Sequence, residues 1–555
     1  MTAPVRRMVI ASLVSVVTAM VFWPSLKFDW LRYWDDGAML LWNEQYKGLS
    51  PTHLWYMVHP FLGQWFPLTL FSWAIDFTLF GLDPVAYHRT NVLLHALNAG
   101  LLFLVARRVI RAACPSMPEH AGACGAIFAA LAWSLHPLRV ESVAWVNERR
   151  DVLCGLFYLL AVLAYLKAVI GAESNAIVSR SLWRPAGFYQ SDYVRRRWLT
   201  LSVACFALAV LSKALAVTLP VALLLLDYYP LRRGRGGQRV IGEKLPYVAI
   251  AVIGAVMAFV AIAEMKVLAP IQWITVEDRL LITPYSLWFY LSKTVWPGAL
   301  SPLYELTFTP HLFQWRYFIP VVGVSGATWL ALRWRREWPG WTVAWVAYAV
   351  TVFPISGVFQ NGYQLVATRY AYLATLPLLI LAGGLLAGGL DRLRVPARVV
   401  AYPVAAAVLV ALAAGTTAYL PVFRDGIAFW VRAVRVEPSC VACASFLVHQ
   451  ATFKVANAEM TRLLARYPDL QEQRFEIGML SFMYARGPAG EAHFTEYLRQ
   501  AAERDPGYIA RIEVGRQKHL ALARQVLKGS PRDNLSTFEG AVHGMAPPPM
   551  VPGAR

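Results

Sequence analysis

The chain alternates between long apolar runs and short polar connections, many of them Arg-rich. A helix that crosses a bilayer needs about 20 predominantly apolar residues, with a range of about 17–25. Runs of that kind lie at about 8–25, 89–106, 121–136, 151–169, 198–213, 214–230, 245–264, 318–333, 341–357, 373–390 and 399–420. A further run, 284–299, is aromatic-rich and broken by Pro284 and Pro297. Six basic clusters punctuate the pattern: Arg6 and Arg7; Arg107, Arg108 and Arg111; Arg195, Arg196 and Arg197; Arg232, Arg233 and Arg235; Arg333, Arg335 and Arg336; Arg392, Arg394 and Arg398. All six fall on one side if 284–299 does not cross, and the positive-inside rule makes that side the cytoplasm. If it crossed once, the last two clusters would lie outside. The run therefore reads as re-entrant or surface-lying. The expectation is 11 spans, with the N-terminus inside and the C-terminus outside. The first run ends in Trp23-Pro24 without a small-residue cleavage site, so it reads as an anchor.

Two outside loops are long, about 26–88 and about 265–317, and both are rich in aromatic residues. They predict helices lying in the outer membrane interface. After Pro421 the pattern becomes mixed polar and apolar with helical spacing. Pro438, Pro468 and Pro506 recur at an average of about 34 residues, the tetratricopeptide period. The expected domains are a membrane domain over 1–420, degenerate helical repeats on the outer side over 421–528, and a disordered tail over 529–555 with Pro547, Pro548 and Pro549.

Composition agrees. Hydrophobic residues make up 57% and charged residues 15%, against about 45–50% and about 25% in soluble chains; the mean hydropathy is +0.45. The formal charge of +19 would suggest nucleic acid in a soluble protein. Here it is absorbed by topology signals, and no nucleic-acid partner is expected. Six Cys build no disulfide framework. The fold class is all-α: a polytopic membrane protein of about 11 spans with outer-face juxtamembrane helices and C-terminal helical repeats.

Candidate chemistry gathers at the outer ends of the spans. Asp35 and Asp36 follow Trp34 about ten residues beyond the first span. One carboxylate there suits a general base for an acceptor hydroxyl, with its neighbour orienting the acceptor or holding a cation; the other reading is a solvated loop that caps a helix. The stretch from His136 through Arg139, Glu141, Glu148, Arg149 and Arg150 to Asp151 packs acids and phosphate-seeking arginines between two spans. Lys213, Lys293 and Arg369 stand where the positive-inside rule disfavours them. A bound lipid phosphate explains all three together; snorkelling explains any one alone. Cys440 and Cys443 read as small residues of a repeat helix or a disulfide rather than a metal half-site. His88, Asn91, His95 and Asn98 line one face of the second span and read as packing contacts. No Walker-type loop or dinucleotide fingerprint is present in the sequence.

The ordered series of short motifs resembles the transmembrane and tetratricopeptide-repeat O-mannosyltransferases (the TMTC family) and their bacterial membrane relatives. The matching stretches are Tyr33-Trp34-Asp35-Asp36; Trp65-Phe66-Pro67-Leu68-Thr69; Phe80-Gly81-Leu82-Asp83-Pro84 through His88, Asn91 and His95; Leu135-His136-Pro137 through Glu141; and Arg149 with Asp151. Ser212-Lys213, Val217-Thr218-Leu219-Pro220, Asp227-Tyr228, Tyr290-Leu291-Ser292-Lys293 and Arg369-Tyr370-Ala371-Tyr372 follow in order. The resemblance implies a GT-C glycosyltransferase fold and a sugar donor carried on polyprenyl phosphate. It implies Asp35 as catalytic base, Asp36 as its supporting carboxylate, and His136 and Glu141 on the acceptor and sugar side. It implies Arg149, Lys213, Lys293 and Arg369 as holders of the carrier phosphate, with Asp151 and Tyr370 beside them. Phe66 departs from the family, where His or Arg is usual, and the repeat region is short.

The function expected is inverting transfer of mannose or a related hexose to a hydroxyl, protein Ser or Thr, at a bacterial inner membrane with the repeats periplasmic. The partners expected are the polyprenyl-linked donor, membrane lipids, and a protein or glycan acceptor recruited by the repeats. No cofactor is firmly implied; the Asp pair leaves a divalent cation open, although such relatives mostly do without one. The competing readings are a transferase that modifies glycan or lipid, a carrier of amphipathic anions, and a repeat-bearing scaffold. A carrier calls for polar residues at the bilayer midplane and repeated spans, which the sequence lacks.

Overall fold

A computed structural model describes residues 2–32, 34–178, 192–233, 237–265, 274–306, 310–359, 364–393 and 395–437, then Cys440 and scattered positions from 442 to 524. The described residues are almost entirely helical, and each of the eleven apolar runs is a helix. Five helices are long and apolar enough to cross a bilayer: Ala3–Lys27, Pro84–Ala113, Val146–Ile170, Gly237–Glu264 and Arg398–Phe423. Two further runs belong to bent pairs, Glu119–Ser134 with Pro137–Ala144 at 54° and Thr368–Ala374 with Leu376–Arg392 at 57°. Ala214–Tyr228 and Pro339–Ile355 are shorter apolar helices. Asp192–Ser212 and Trp315–Arg333 complete the set, each with arginines in a terminal turn. The aromatic run 284–299 begins inside one helix, Val276–Val295, which holds Pro284 in its interior and starts on a Thr275–Asp278 capping box; the run's last four residues lie beyond the helix.

The two bends have a simple cause. Pro137 and Pro377 lack an N–H and clash with the preceding turn, so each starts a new helix instead of continuing the old one. Broken backbone at membrane depth is tolerated only where protein covers it. The residues around Pro137 are buried, as are Thr368 and Ala371–Leu376.

Small residues let the helices approach. A Cβ on Gly125 would collide with the Gly383 carbonyl, and one on Gly383 with the Gly125 carbonyl, so Glu119–Ser134 and Leu376–Arg392 touch backbone to backbone. Gly100 of Pro84–Ala113 lies in the same way against Ala11 of the helix Ala3–Phe22.

The basic clusters converge on acids. Glu119 meets Arg6 at 3.2 Å, Arg7 at 3.7 Å and Arg107 at 2.7 Å. Glu243 meets Arg233 at 3.0 Å and pairs with Arg195. Four of the six clusters thus meet in pairs, as sharing one side of the membrane requires.

The chain divides into two compact units. One comprises 1–28, 45–298 and 306–421; the other comprises 29–44, 299–305 and 422–555. In the second unit, Asp425 caps the helix Gly426–Val436 by accepting from the Ala428 amide at 2.9 Å. Trp34 packs edge-on against Trp430 (5.0 Å) and Phe446 (5.1 Å). Cys440 and Cys443 form a disulfide. Of the prolines that set the repeat period, Pro438 and Pro468 lie outside the described residues, as does the tail 529–555.

Candidate active site

The two broken spans meet at Glu141. Its Oε2 accepts from the Thr368 hydroxyl at 2.6 Å and the Arg369 amide at 2.8 Å, and its Oε1 takes the Arg369 guanidinium at 2.5 Å. The side chain is fully buried. A carboxylate so placed requires this many donors, because an unpaired charge in a dry interior is very costly. Glu141 and Arg369 are 228 residues apart; the proline breaks bring them together.

A second carboxylate, Glu148, sits at the mouth of the helix Arg149–Val178. It bonds Arg150 at 2.5 Å, Lys213 at 3.1 Å and Arg369 Nε at 3.3 Å. Asp151, one turn into that helix, takes Lys213 Nζ at 2.7 Å on one oxygen and the Ser142 hydroxyl at 3.0 Å on the other. Aromatic faces shield the cations: Tyr370 lies 5.6 Å from Lys213 and 4.9 Å from Arg369, and Phe66 lies 5.4 Å from Arg150. Phe66 thus serves as a ring face for a cation. Three acids and three cations therefore interlock in one buried cluster.

Arg139 stands apart from this balance. It is fully buried, and among the described residues its hydrogen-bond partner is the Thr375 hydroxyl at 2.8 Å. Its Nε and Nη1 have no acceptor there, and the guanidinium lies over the Trp133 and Tyr372 rings at 5.4 and 5.7 Å.

The other expected site residues fall into three places. Arg149 is committed elsewhere, to Asp76 at 2.5 Å, Asn91 at 2.7 Å and the Tyr87 carbonyl at 2.8 Å; it shares no partner with Lys213 or Arg369. His136 caps the turn Pro137–Arg139, its Nδ1 taking the Leu138 amide at 3.2 Å while Nε2 reaches the Thr294 carbonyl at 3.0 Å. Lys293, the residue before Thr294, donates to the Gly298 carbonyl at 2.6 Å. Asp35 and Asp36 belong to the second unit. They open a helical turn that widens over Gly37–Leu41, with the Trp42 amide reaching the Gly37 carbonyl at 3.0 Å; such wide turns recur at functional sites. Asp36 is buried and accepts from the Leu31 amide at 2.8 Å. Asp35 is half-buried, the more accessible of the two. Gly37 is required there, since a Cβ would meet the Arg32 carbonyl and the Trp42 ring.

The polar face of the second span packs much as its pattern predicted. His95 bridges the Tyr372 hydroxyl (2.9 Å) and the Ser134 carbonyl (3.0 Å), and Asn98 donates to the Val152 carbonyl at 2.8 Å. Asn91 does more, since it helps hold Arg149.

Sequence reasoning gave Glu148, Arg150, Ser142, Thr368 and Asp76 no role of their own. Asp76 carried a signal: it is an acid inside the apolar run Pro67–Phe80, where a charge needs a partner. Ser142 and Thr368 carried none, because a hydroxyl beside a charged residue is unremarkable.

No family model matches the chain. Protein O-mannosyl-transferase Tmtc1 of Drosophila melanogaster is 34% identical over 118 residues, 21% of this chain and 12% of that one. Protein O-mannosyl-transferase TMTC4 of Homo sapiens is 30% identical over 199 residues, 33% of this chain and 25% of its own. The chain thus spans a quarter or less of the length of these curated relatives. Among solved structures, ArnT from Cupriavidus metallidurans bound to undecaprenyl phosphate aligns with a TM-score of 0.37 and 18% identity, over 95% of this chain and 84% of that one. In sequence, the chain resembles the TMTC protein O-mannosyltransferases.

Proposed function

We propose that the chain is a membrane glycosyltransferase that moves a hexose, mannose or a near relative, from a polyprenyl-phosphate carrier to a hydroxyl of a protein Ser or Thr. The observation that carries this reading is the buried charge at the broken spans. Among the described residues there, Arg139, Arg149, Arg150, Lys213 and Arg369 face Asp76, Glu141, Glu148 and Asp151. Cations outnumber acids by one, and the surplus is Arg139, a buried guanidinium with unpaired donors. Such a charge is costly unless an anion balances it. A lipid phosphate has the right charge at the depth where these spans break.

In the reaction, the acceptor hydroxyl loses its proton to a carboxylate, for which Asp35 is the proposed residue, held by the loop that Asp36 closes. The hydroxyl oxygen bonds to the anomeric carbon as the bond from that carbon to the phosphate oxygen breaks, inverting the configuration. Negative charge grows on the departing phosphate, and Lys213 and Arg369, already fixed by their acids, stabilise it without reorganisation. The Arg clusters, through the positive-inside rule, support putting this chemistry on the outer face, with the N-terminus cytoplasmic and the C-terminal region periplasmic.

The test is transfer of radiolabelled sugar from a polyprenyl-phosphate-sugar by the purified protein in lipid. Wild type should transfer, and Asp35→Asn should lose about 10²–10⁴-fold, the usual range for a general base. Transfer retained by Asp35→Asn moves the base to Asp36 or Glu141. Absence of both transfer and phosphate-lipid binding overturns the reading.

A further inference from the structure

The lengths within the charged cluster are uneven. Each cation has one short carboxylate partner: Arg369 with Glu141 at 2.5 Å, Lys213 with Asp151 at 2.7 Å, and Arg150 with Glu148 at 2.5 Å. Two longer contacts remain, Lys213 to Glu148 at 3.1 Å and Arg369 to Glu148 at 3.3 Å. Among the described residues Glu148 is thus the acid that bridges all three cations, and its contacts to two of them are the longer ones.

We propose that Glu148 is a displaceable internal counter-anion, its carboxylate occupying between Lys213 and Arg369 the position that the phosphate of a mono- or diester takes on binding. This rests on the proposed function, whose donor supplies that phosphate. Exchange breaks only the two long contacts. Lys213 keeps Asp151, Arg369 keeps Glu141, and Glu148 keeps Arg150, two residues along the chain. No buried charge is stranded, which is the condition for an ion pair to rearrange at low cost. Arg150 is then the residue that makes the exchange reversible, because it holds the displaced carboxylate. The same arrangement keeps the donor-free site neutral at Lys213 and Arg369, so weakly interacting anions are excluded and only a ligand with further binding energy, such as a lipid chain, wins the site. Glu148 acts here as a specificity-determining residue and takes no part in bond making.

The experiment measures binding of polyprenyl monophosphate, inorganic phosphate and neutral polyprenol to the full chain in nanodiscs, for wild type, Glu148→Gln and Glu148→Asp. Neutralising a unit charge this close should tighten polyprenyl monophosphate binding by about tenfold in Glu148→Gln. Neutral polyprenol should be unchanged, and Glu148→Asp, which keeps the charge, should show no such gain. A gain for inorganic phosphate of the same fold also supports displacement and locates it at the headgroup. Folded Glu148→Gln with equal or weaker phosphate-lipid binding overturns the inference, while a wild-type preference for phosphate lipid over polyprenol leaves the proposed function standing. Wild type without that preference overturns both. Should Glu148→Gln not fold, the charge-balanced pair E148Q/R150Q takes its place, with a smaller tightening expected, because Lys213 and Arg369 are freed while the positive charge of Arg150 is lost.

Discussion

The span Val146–Ile170 carries a charged cluster toward each end, and the two are built differently. From Asp151 to Tyr165 the axis rises about 21 Å. At Tyr165 the partners all come from one short stretch, 227–244. The Tyr165 hydroxyl bonds both oxygens of Asp227 at 2.6 and 2.7 Å, Lys244 meets Asp227 at 2.6 Å, and Arg233 reaches Asp227 at 3.0 Å and forks onto Glu243 at 3.0 and 3.1 Å. No buried polar atom of these residues lacks a partner among the described residues. Burial pulls the Arg233 pKa down, but the Glu243 hydrogen bond and the neighbouring acids outweigh it and hold the group above its ordinary value. Its charge therefore does not titrate at any pH where the protein is handled. At Asp151, by contrast, the partners come from 141 to 369, Glu148 is shared among three cations, and Arg139 nearby is left with open donors among the described residues. A saturated cluster fastens helices. A cluster with a shared acid and surplus charge is what the proposed anion site calls for.

The sharpest way to break this comparison is to show that both ends respond alike. Arg369→Gln removes the guanidinium from Glu141 and Glu148 and, with it, the charge proposed to face the departing phosphate. Sugar transfer should fall by about 10²–10³-fold, with weakened binding of the phosphate lipid in the folded fraction. Asp227→Asn should do the opposite. It strands Lys244 against a neutral amide and leaves Arg233 with Glu243 alone, and stability should fall by about 3–5 kcal/mol, as when one partner of a buried pair is lost. Thermal unfolding in detergent measures that. The protein that remains folded should bind phosphate lipid with wild-type affinity. Loss of affinity in Asp227→Asn at full folding would show that the two ends are one system.

A smaller effect sharpens the role of the breaks. Gly125→Ala puts a methyl group where the Gly383 carbonyl lies, and overpacking of this kind costs about 1–3 kcal/mol. Because Leu376–Arg392 follows directly from the turn that carries Arg369, phosphate-lipid affinity should drop along with the melting temperature. A drop in melting temperature alone would mean that the turn is held without the helix below it.

Much of this was legible in the chain. Eleven apolar runs predicted eleven spans; each run is helical because apolar length is a strong local signal, while among the described residues five helices, or seven counting the bent pairs, are long and apolar enough to cross. The bends were less so: Pro137 and Pro377 are visible, yet whether a proline kinks a span or ends it depends on what packs beside it. The site divided in the same way. Lys213 and Arg369 stood out because single cations at outer span ends violate a topology rule, and the structure does join them, through Glu148. Arg149 looked equivalent, but its partners Asp76 and Asn91 lie 73 and 58 residues upstream, and no local pattern announces a pairing at that range. Glu148 and Arg150 were in view within the same charged stretch. Their importance lies in contact lengths, which a sequence does not encode.

Arg139 offers the smallest and most discriminating change. Its guanidinium packs on Trp133 and Tyr372 and has Thr375 as its hydrogen-bond partner among the described residues. If it were a structural anchor like Arg233, replacing it would destabilise the protein by several kcal/mol. If it is surplus charge awaiting an anion, Arg139→Met should leave stability unchanged or raise it, by up to about 1–4 kcal/mol, because a well-packed apolar side chain often outperforms a buried ion. The thioether suits the aromatic faces that now hold the guanidinium. Phosphate-lipid affinity should then weaken by about threefold, since a charge near the ligand, though not touching it, acts through a partly screened interior. The measurement is the melting temperature with and without polyprenyl phosphate: in wild type the ligand should raise it, and in Arg139→Met the ligand-free value should start higher and the gain on binding should shrink. A ligand-free protein destabilised by the substitution would mean that Arg139 is already neutralised within the fold, and the surplus charge that motivates an anion at the broken spans would disappear.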